Sequence, residues 1–279
     1  GGCDGSTGPN TVNPETGKPW GAQFPQPQVQ DWVRSQKLLA EHLGISRWAA
    51  VIGGSLGGMQ ALQWAIDYPE WVEHCVALAA APKLTAQNIA FNEIARHAIL
   101  SDPDWYEGDY LSHDTIPTRG VALARMVGHL TYMSADGMSD RFGRELREGS
   151  FTPEAESEWV FQVESYLRHQ GTRFSAQFDA NTYVLMTRAL DLFDLAVGDH
   201  GDLTAALDKA HADFLVLSFS SDWRFPPHRS IEIRDALMAA GKPVTYANIE
   251  TDNGHDGFLL PNETYEALLT QWMRRVGPA

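Results

Sequence analysis

The stretch Gly53-Gly54-Ser55-Leu56-Gly57 constrains this chain more than any other. It follows a continuous apolar run, Trp48-Ala49-Ala50-Val51-Ile52, and precedes a helical pattern from about Gly58 to Tyr68 that stops at Pro69. A short unbroken apolar run reads as a strand buried on both faces. Proline ends a helix because it lacks the amide hydrogen and its ring clashes with the preceding turn. Small residues between strand and helix permit a tight turn that lifts a serine hydroxyl above a sheet. The N–H of Leu56, at the start of the helix, can face negative charge developing on an oxygen.

The flanking sequence repeats the same alternation. A helix is expected from about Val29 to His42, with Trp32, Val33, Leu38, Leu39 and Leu43 on one side and Gly44 at its stop. A second buried strand is expected over residues 75–80. Helix, strand, helix, strand is the pattern of an α/β fold with a parallel sheet. From Pro82 to about Asp191 helical segments take over, including Gln87–Leu100, Val121–Tyr132 and Glu154–His169, with no convincing buried strand between them. The alternation resumes with a strand at Asp213–Phe219, a helix at Ser230–Ala240 closed by Gly241, a strand at Val244–Ile249 and a helix at Glu263–Arg274. The expected organisation is a discontinuous α/β core, 1–81 and 192–279, carrying a helical insertion at 82–191. A chain of 279 residues, 43% hydrophobic, can build that core.

Charge and cysteine content narrow the function classes. The formal net charge of −15 argues against general nucleic-acid binding, which needs Lys and Arg to neutralise phosphates. One phosphorylated small molecule needs only a local basic patch and stays open. The two cysteines, Cys3 and Cys75, are too few for a disulfide framework and have no Cys or His partner at metal-ligand spacing, so no metal is expected. Cys75, in the run Cys75-Val76-Ala77-Leu78-Ala79-Ala80, reads as a small buried hydrophobe. No apolar stretch reaches the ~18 residues of a membrane span. A cytoplasmic protein without membrane association is the expectation.

A serine nucleophile needs a base, and the base needs an acid to orient it. Ser220-Ser221-Asp222 follows the strand at 213–219, and Gly254-His255-Asp256 follows the strand at 244–249. Both lie at carboxyl ends of strands, where open α/β sheets place their ligands. His255 is the candidate base for Ser55, and Asp222 the candidate acid. Of the other histidines, His42, His97, His113, His129 and His169 fall in helices or the insertion, His74 precedes a strand, and His200, His211 and His228 sit in polar segments. Asp256 adjoins His255 and fits a substrate contact better than the triad, since neighbouring side chains diverge. The order Ser, Asp, His is that of the α/β-hydrolase fold.

These residues and their flanks resemble the homoserine O-acyltransferases of methionine biosynthesis. The resemblance extends through Gly1-Gly2-Cys3-Asp4-Gly5-Ser6-Thr7-Gly8-Pro9, Asn13-Pro14-Glu15-Thr16-Gly17 and the run from Gly53 to Ala61. It continues through Ala86-Gln87-Asn88-Ile89-Ala90-Phe91-Asn92-Glu93, Phe161-Gln162-Val163-Glu164-Ser165-Tyr166-Leu167, Phe178-Asp179-Ala180-Asn181-Thr182-Tyr183 and Gly254-His255-Asp256. Together these cover nearly the whole chain and are far more specific than the serine motif alone.

The resemblance implies a ping-pong reaction: Ser55 takes the acyl group from an acyl-CoA, and His255 activates the hydroxyl of L-homoserine to receive it. It implies that Arg125 grips the substrate carboxylate, that Asp256 pairs with the ammonium and that Tyr132 belongs to the substrate site. A guanidinium suits a carboxylate because it offers a planar fork of donors. Acyl-CoA is then a substrate and no cofactor is expected. In the family it resembles, an Arg two residues after the triad Asp marks the succinyl-using members, so Arg224 implies succinyl-CoA: succinyl ends in a second carboxylate, whose burial without a cation would be costly. Acetyl-CoA is the alternative donor, and an esterase with the same triad a more distant one. The family also implies a homodimer associated through the helical insertion.

One departure carries its own expectation. Family members have a portion ahead of the Gly1-Gly2-Cys3 loop that holds the first sheet strands and a loop donating a second oxyanion N–H. The chain begins with Gly1 and reads as N-terminally truncated, with those strands missing. On that reading, these 279 residues alone are expected to fold poorly and to be inactive.

Overall fold

The computed structural model describes residues 5–147 and 161–276. Residues 1–4, which include Cys3 and open the first Gly-rich motif, and residues 154–160 of the helix expected at Glu154–His169 lie outside the described residues. In chain order the elements are α1 (Val29–His42), β1 (Val51–Gly54), α2 (Leu56–Asp67), β2 (His74–Leu78), α3 (Ala86–Leu100), α4 (Thr118–Tyr132), α5 (Ala135–Phe142), α6 (Gln162–Ser175), α7 (Ala180–Asp191), α8 (Leu203–Asp208), β3 (Asp213–Phe219), α9 (Pro227–Ala239), β4 (Val244–Ile249) and α10 (Glu263–Met273).

Contacts divide the chain into two compact units. One holds the sheet: Pro27–Thr85, Tyr132–Ser134 and Leu192–Ala279. The other is helical: Gly1–Gln26, Ala86–Thr131 and Ala135–Asp191. The sequence-based boundaries differ from this division mainly at the amino-terminal segment, assigned above to the α/β core. Its end is tied to the helical unit instead: Gln26 Nε2 donates to the Leu185 carbonyl at 3.1 Å.

In the sheet unit, four parallel strands pair in the order β1-β2-β3-β4. The register aligns Gly54 with Leu78, Leu78 with Leu217, and Phe219 with Ile249. The chain therefore leaves the sheet at neighbouring points after β1, β3 and β4, and those three exits carry Ser55, Asp222 and His255. Strands β2 and β3 are the buried ones, with Cys75, Val76, Phe214, Leu215 and Leu217 all inaccessible. Strand β1 is not: it forms an edge of the four-stranded sheet, starts later than the apolar run, and leaves Ile52 45% exposed. Periodicity cannot distinguish an edge strand made of apolar residues from a central one.

Helix α1 begins where Gln28 N–H donates to the Asp31 carboxylate at 2.9 Å and ends before Gly44, whose φ is +74°. Its buried face is Val29, Val33 and Ala40, while Leu38, Leu39 and Leu43 stay exposed, against the single apolar side expected. Gln36 docks this helix, accepting from Trp64 Nε1 at 2.7 Å and donating to Gln60 at 2.6 Å. Helix α9 is tied to the end of β2 by buried Ser230, whose hydroxyl donates to the Ala80 carbonyl at 3.1 Å.

In the helical unit, small residues let backbones approach. A Cβ on Gly120 would lie 2.5 Å from the Ala98 carbonyl oxygen, and one on Gly171 2.8 Å from that of Ala122. Ile99, Trp105, Tyr110, Val121 and Ala124 form the core. Arg96, on α3, is buried between Asp191 at 2.6 Å and Glu93 at 2.9 Å. The motif at 178–183 has a structural job: Asp179 caps α7 by accepting from Thr182 N–H at 2.7 Å and also binds the Tyr110 hydroxyl.

Candidate active site

Ser55 sits between the last residue of β1 and the first of α2 with φ 55° and ψ −121°. A non-glycine residue held at positive φ stores roughly 1–3 kcal/mol of strain, which surrounding structure must impose. Here the Ser55 N–H is pinned to the Leu78 carbonyl at 2.9 Å. Glycines make the turn possible. A Cβ on Gly53 would meet the Gly57 carbonyl oxygen at 2.0 Å, one on Gly54 the Phe258 ring at 2.3 Å, and one on Gly58 the Ala80 Cβ at 2.8 Å. Gly57, by contrast, has open space around it. The Ser55 side chain makes no capping bond to α2 and is left for chemistry. Leu56 opens that helix, so its N–H is among those with no intrahelical acceptor.

Ser55 Oγ lies 2.8 Å from His255 Nε2, and His255 Nδ1 lies 2.7 Å from Asp222 Oδ2. A carboxylate only accepts, so Nδ1 carries the proton and Nε2 offers its lone pair to the serine O–H. His255 and Asp222 are 3% and 2% exposed, which keeps water from competing for these bonds. The other Asp222 oxygen accepts from the N–H groups of Arg224 at 3.0 Å and Phe225 at 2.8 Å. The two loops that carry the pair are joined: Gly254 N–H donates to Ser221 Oγ at 3.0 Å, and Thr251 N–H to Ser220 Oγ at 3.0 Å. Three aromatic rings surround the imidazole, Phe225 at 5.1 Å and Tyr132 and Phe258 at 5.8 Å. Sequence reading missed Phe225, Phe258 and Ser221. Their proximity in sequence to Asp222 and His255 was a signal, but which side chains turn inward depends on the loop backbone.

Arg224 is 8% exposed, so it is no solvated loop residue; its guanidinium lies over the Tyr132 ring at 5.2 Å. Asp256 follows His255 in the 3-10 turn Gly254–Leu259 and is half-buried. Ser55, Leu56, Asp222, Arg224, His255, Asp256 and Tyr132 thus all belong to the sheet unit. Arg125 belongs to the helical unit, on α4, where its guanidinium stacks on Phe174 at 4.8 Å.

One turn along α4 from Arg125, His129 Nδ1 is 3.2 Å from the Tyr166 hydroxyl. Burial, then the charges of Arg125 and Arg141, lower its pKa from 6.5 to about 4. The unfolded chain therefore binds the extra proton between those values, and stability falls as pH drops through that window. His129→Gln is expected to flatten this part of the curve; an unchanged urea midpoint profile between about pH 4 and 7 would remove His129 as its source. Burial also pushes the Cys75 thiol up, in keeping with its place inside β2. No group of three or more His, Cys, Asp or Glu side chains among the described residues is placed to hold a metal.

A serine on a strand-to-helix elbow, with its acid and base arriving in that chain order from two later strand ends, is the arrangement of the α/β-hydrolase class. The profile of the alpha/beta hydrolase fold matches residues 1–260. A homoserine O-succinyltransferase of Litchfieldella anticariensis is 60% identical over 276 residues, covering 99% of this chain and 70% of that protein. Another, from Saccharophagus degradans, is 58% identical and likewise covers 99% of this chain and 73% of its own. Among solved structures, a homoserine O-acetyltransferase from Bacillus anthracis superposes with a TM-score of 0.83 at 28% identity, covering 90% of this chain and 66% of that one. Esterase E22 does so with a TM-score of 0.84 at 29% identity, covering 97% and 72%. Within the α/β-hydrolase fold, the chain belongs to the homoserine O-succinyltransferase family.

Proposed function

We propose that the protein transfers a succinyl group from succinyl-CoA to the hydroxyl of L-homoserine, giving O-succinyl-L-homoserine and CoA for methionine biosynthesis. Ser55 Oγ attacks the thioester carbonyl while His255 Nε2 takes its proton. The carbon–sulfur bond breaks, the proton passes to the departing CoA sulfur, and an acyl ester on Ser55 remains. The homoserine hydroxyl then gives its proton to His255 and attacks that ester, and Ser55 recovers its proton as it leaves. Asp222 holds the imidazole tautomer and stabilises the imidazolium. The Leu56 N–H stabilises the oxyanion of each tetrahedral intermediate. Arg125 binds the homoserine carboxylate and Asp256 the ammonium. No cofactor is required.

The observation that carries this reading is the unbroken hydrogen-bond chain from Ser55 through His255 to Asp222 in a chain so similar to succinyltransferases. The buried cation of Arg224, tied by its own N–H to the triad carboxylate, supports succinyl over acetyl. The purified full-length enzyme offered each acyl-CoA with homoserine is expected to favour succinyl-CoA; a preference for acetyl-CoA would refute the donor assignment. Arg224→Leu is expected to lower kcat/KM for succinyl-CoA by about tenfold or more, the scale of a buried charge pair, with a smaller effect on acetyl-CoA. The likeness to esterase E22 favours hydrolysis as a second reading. Release of free succinate instead of the homoserine ester, with homoserine present, would decide for it. Exposed Ile89 and Ile94 on α3 and Leu123 and Leu130 on α4 support a homodimer built on the helical unit. A cytoplasmic location, where acyl-CoA is at hand, completes the proposal.

A further inference from the structure

Tyr132 is the last residue of α4, yet it falls with the sheet unit together with Met133 and Ser134. This three-residue segment is clamped by both loops that bring the acid and the base. From the acid loop, Trp223 Nε1–H donates to the Met133 carbonyl at 2.8 Å. From the base loop, the Asp252 carbonyl accepts from the Ser134 hydroxyl. Gly254 packs so closely that a Cβ there would lie 2.4 Å from the Tyr132 carbonyl oxygen. The backbone of Tyr132 is therefore fixed relative to Asp222 and His255.

Its ring touches both the cation and the base. The Arg224 guanidinium lies over it at 5.2 Å from the centroid. The His255 imidazole packs against it at 5.8 Å with the planes 35° apart. Phe225 also meets both groups, but holds Arg224 at 6.0 Å and presents its edge geometry to His255 at 78°. A guanidinium over an aromatic face is attracted by the ring quadrupole, more strongly where water is excluded. Arg224, 8% exposed, is in such a place. An imidazole that becomes positively charged during the reaction gains from the same ring for the same reason.

We propose that Tyr132 is a positioning residue that sets acyl-donor selectivity. Its ring seats the Arg224 guanidinium at a fixed offset from His255, and so fixes how far from Ser55 the distal carboxylate of a dicarboxylic acyl group is held. This rests on the reading of Arg224 as the partner of that carboxylate and differs from a direct contact of Tyr132 with the amino-acid acceptor. A ring serves here because it is rigid, apolar at its edges and attractive to a cation on its face. The hydroxyl is not needed for this role.

The test compares Tyr132→Phe, Tyr132→Leu, Arg224→Leu and the Leu,Leu double variant, each with succinyl-CoA and acetyl-CoA. Tyr132→Phe is expected to preserve the ratio of kcat/KM between donors. Tyr132→Leu is expected to lower that ratio about tenfold, the loss of a desolvated cation–π contact of about 1.4 kcal/mol. The double variant is expected to be no more impaired in that ratio than Arg224→Leu, because the ring acts through the guanidinium. Equal losses with both donors in Tyr132→Leu, or a change in KM for homoserine alone, would overturn the proposal, as would a Phe variant that behaves like the Leu one. If Arg224→Leu itself leaves the ratio untouched, the succinyl reading fails. The ring's seating role is then judged on acetyl-CoA, where simple additivity of the two substitutions also overturns it.

Discussion

Replacing Ser55 by alanine is expected to cut acyl transfer by at least about 10⁴-fold while leaving the circular-dichroism spectrum and melting temperature close to those of the parent. The magnitude follows from the way a nucleophile, its base and its orienting acid act as one unit, so that losing one member costs nearly as much as losing all. The fold should tolerate the change because the Ser55 side chain caps nothing; its hydroxyl bonds His255 Nε2 instead. The turn itself is held by the backbone bond from Ser55 N–H to Leu78, which alanine keeps. Labelling by a fluorophosphonate should disappear in the same variant. Retention of more than about a tenth of the activity would place the nucleophile elsewhere.

Gly53→Ala should do the reverse, harming the fold before the chemistry. The added Cβ would sit 2.0 Å from the Gly57 carbonyl oxygen, a backbone atom that no side-chain rotation can move away. Overpacking of this kind costs about 3 kcal/mol or more. In a chain of this size that is a drop of roughly 6 °C or more in Tm. Gly57→Ala is the matched control. It lies in the first turn of α2 with open space at the Cβ position, and alanine is favoured over glycine in a helix by about 1 kcal/mol. Its stability should hold or rise. If the two variants melt together, the steric account of the elbow is wrong.

That contrast shows what the sequence could and could not convey. The pattern Gly-x-Ser-x-Gly marks both glycines alike, yet only Gly53 and its neighbours Gly54 and Gly58 are held by close contacts. The strand Asp213–Phe219 was legible to the residue, because a buried parallel strand is a short apolar run bounded by polar turns; Val244–Ile249, of which only Ile249 is buried, was legible from its β-branched and aromatic residues after Gly241. Helix α1 was legible in its limits but not in its orientation, since Leu38, Leu39 and Leu43 are apolar and exposed. The candidate triad was legible because its members follow strand ends in a fixed order. The contact of Arg224 with Tyr132 was not, because the two lie 92 residues apart and only the folded loops join them. The same holds for residues 5–26, whose partners in the helical unit have no signature in a Gly- and Pro-rich stretch.

The division of labour between the two oxygens of Asp222 has an evolutionary consequence. One oxygen serves His255; the other is held by main-chain N–H groups of residues 224 and 225, which any side chain but proline at those positions leaves in place. Position 224 can therefore drift in identity while the acid beneath it stays put. If Arg224 partners the distal carboxylate as proposed, a lineage can explore new acyl donors by changing one side chain, without first surrendering the machinery that transfers them.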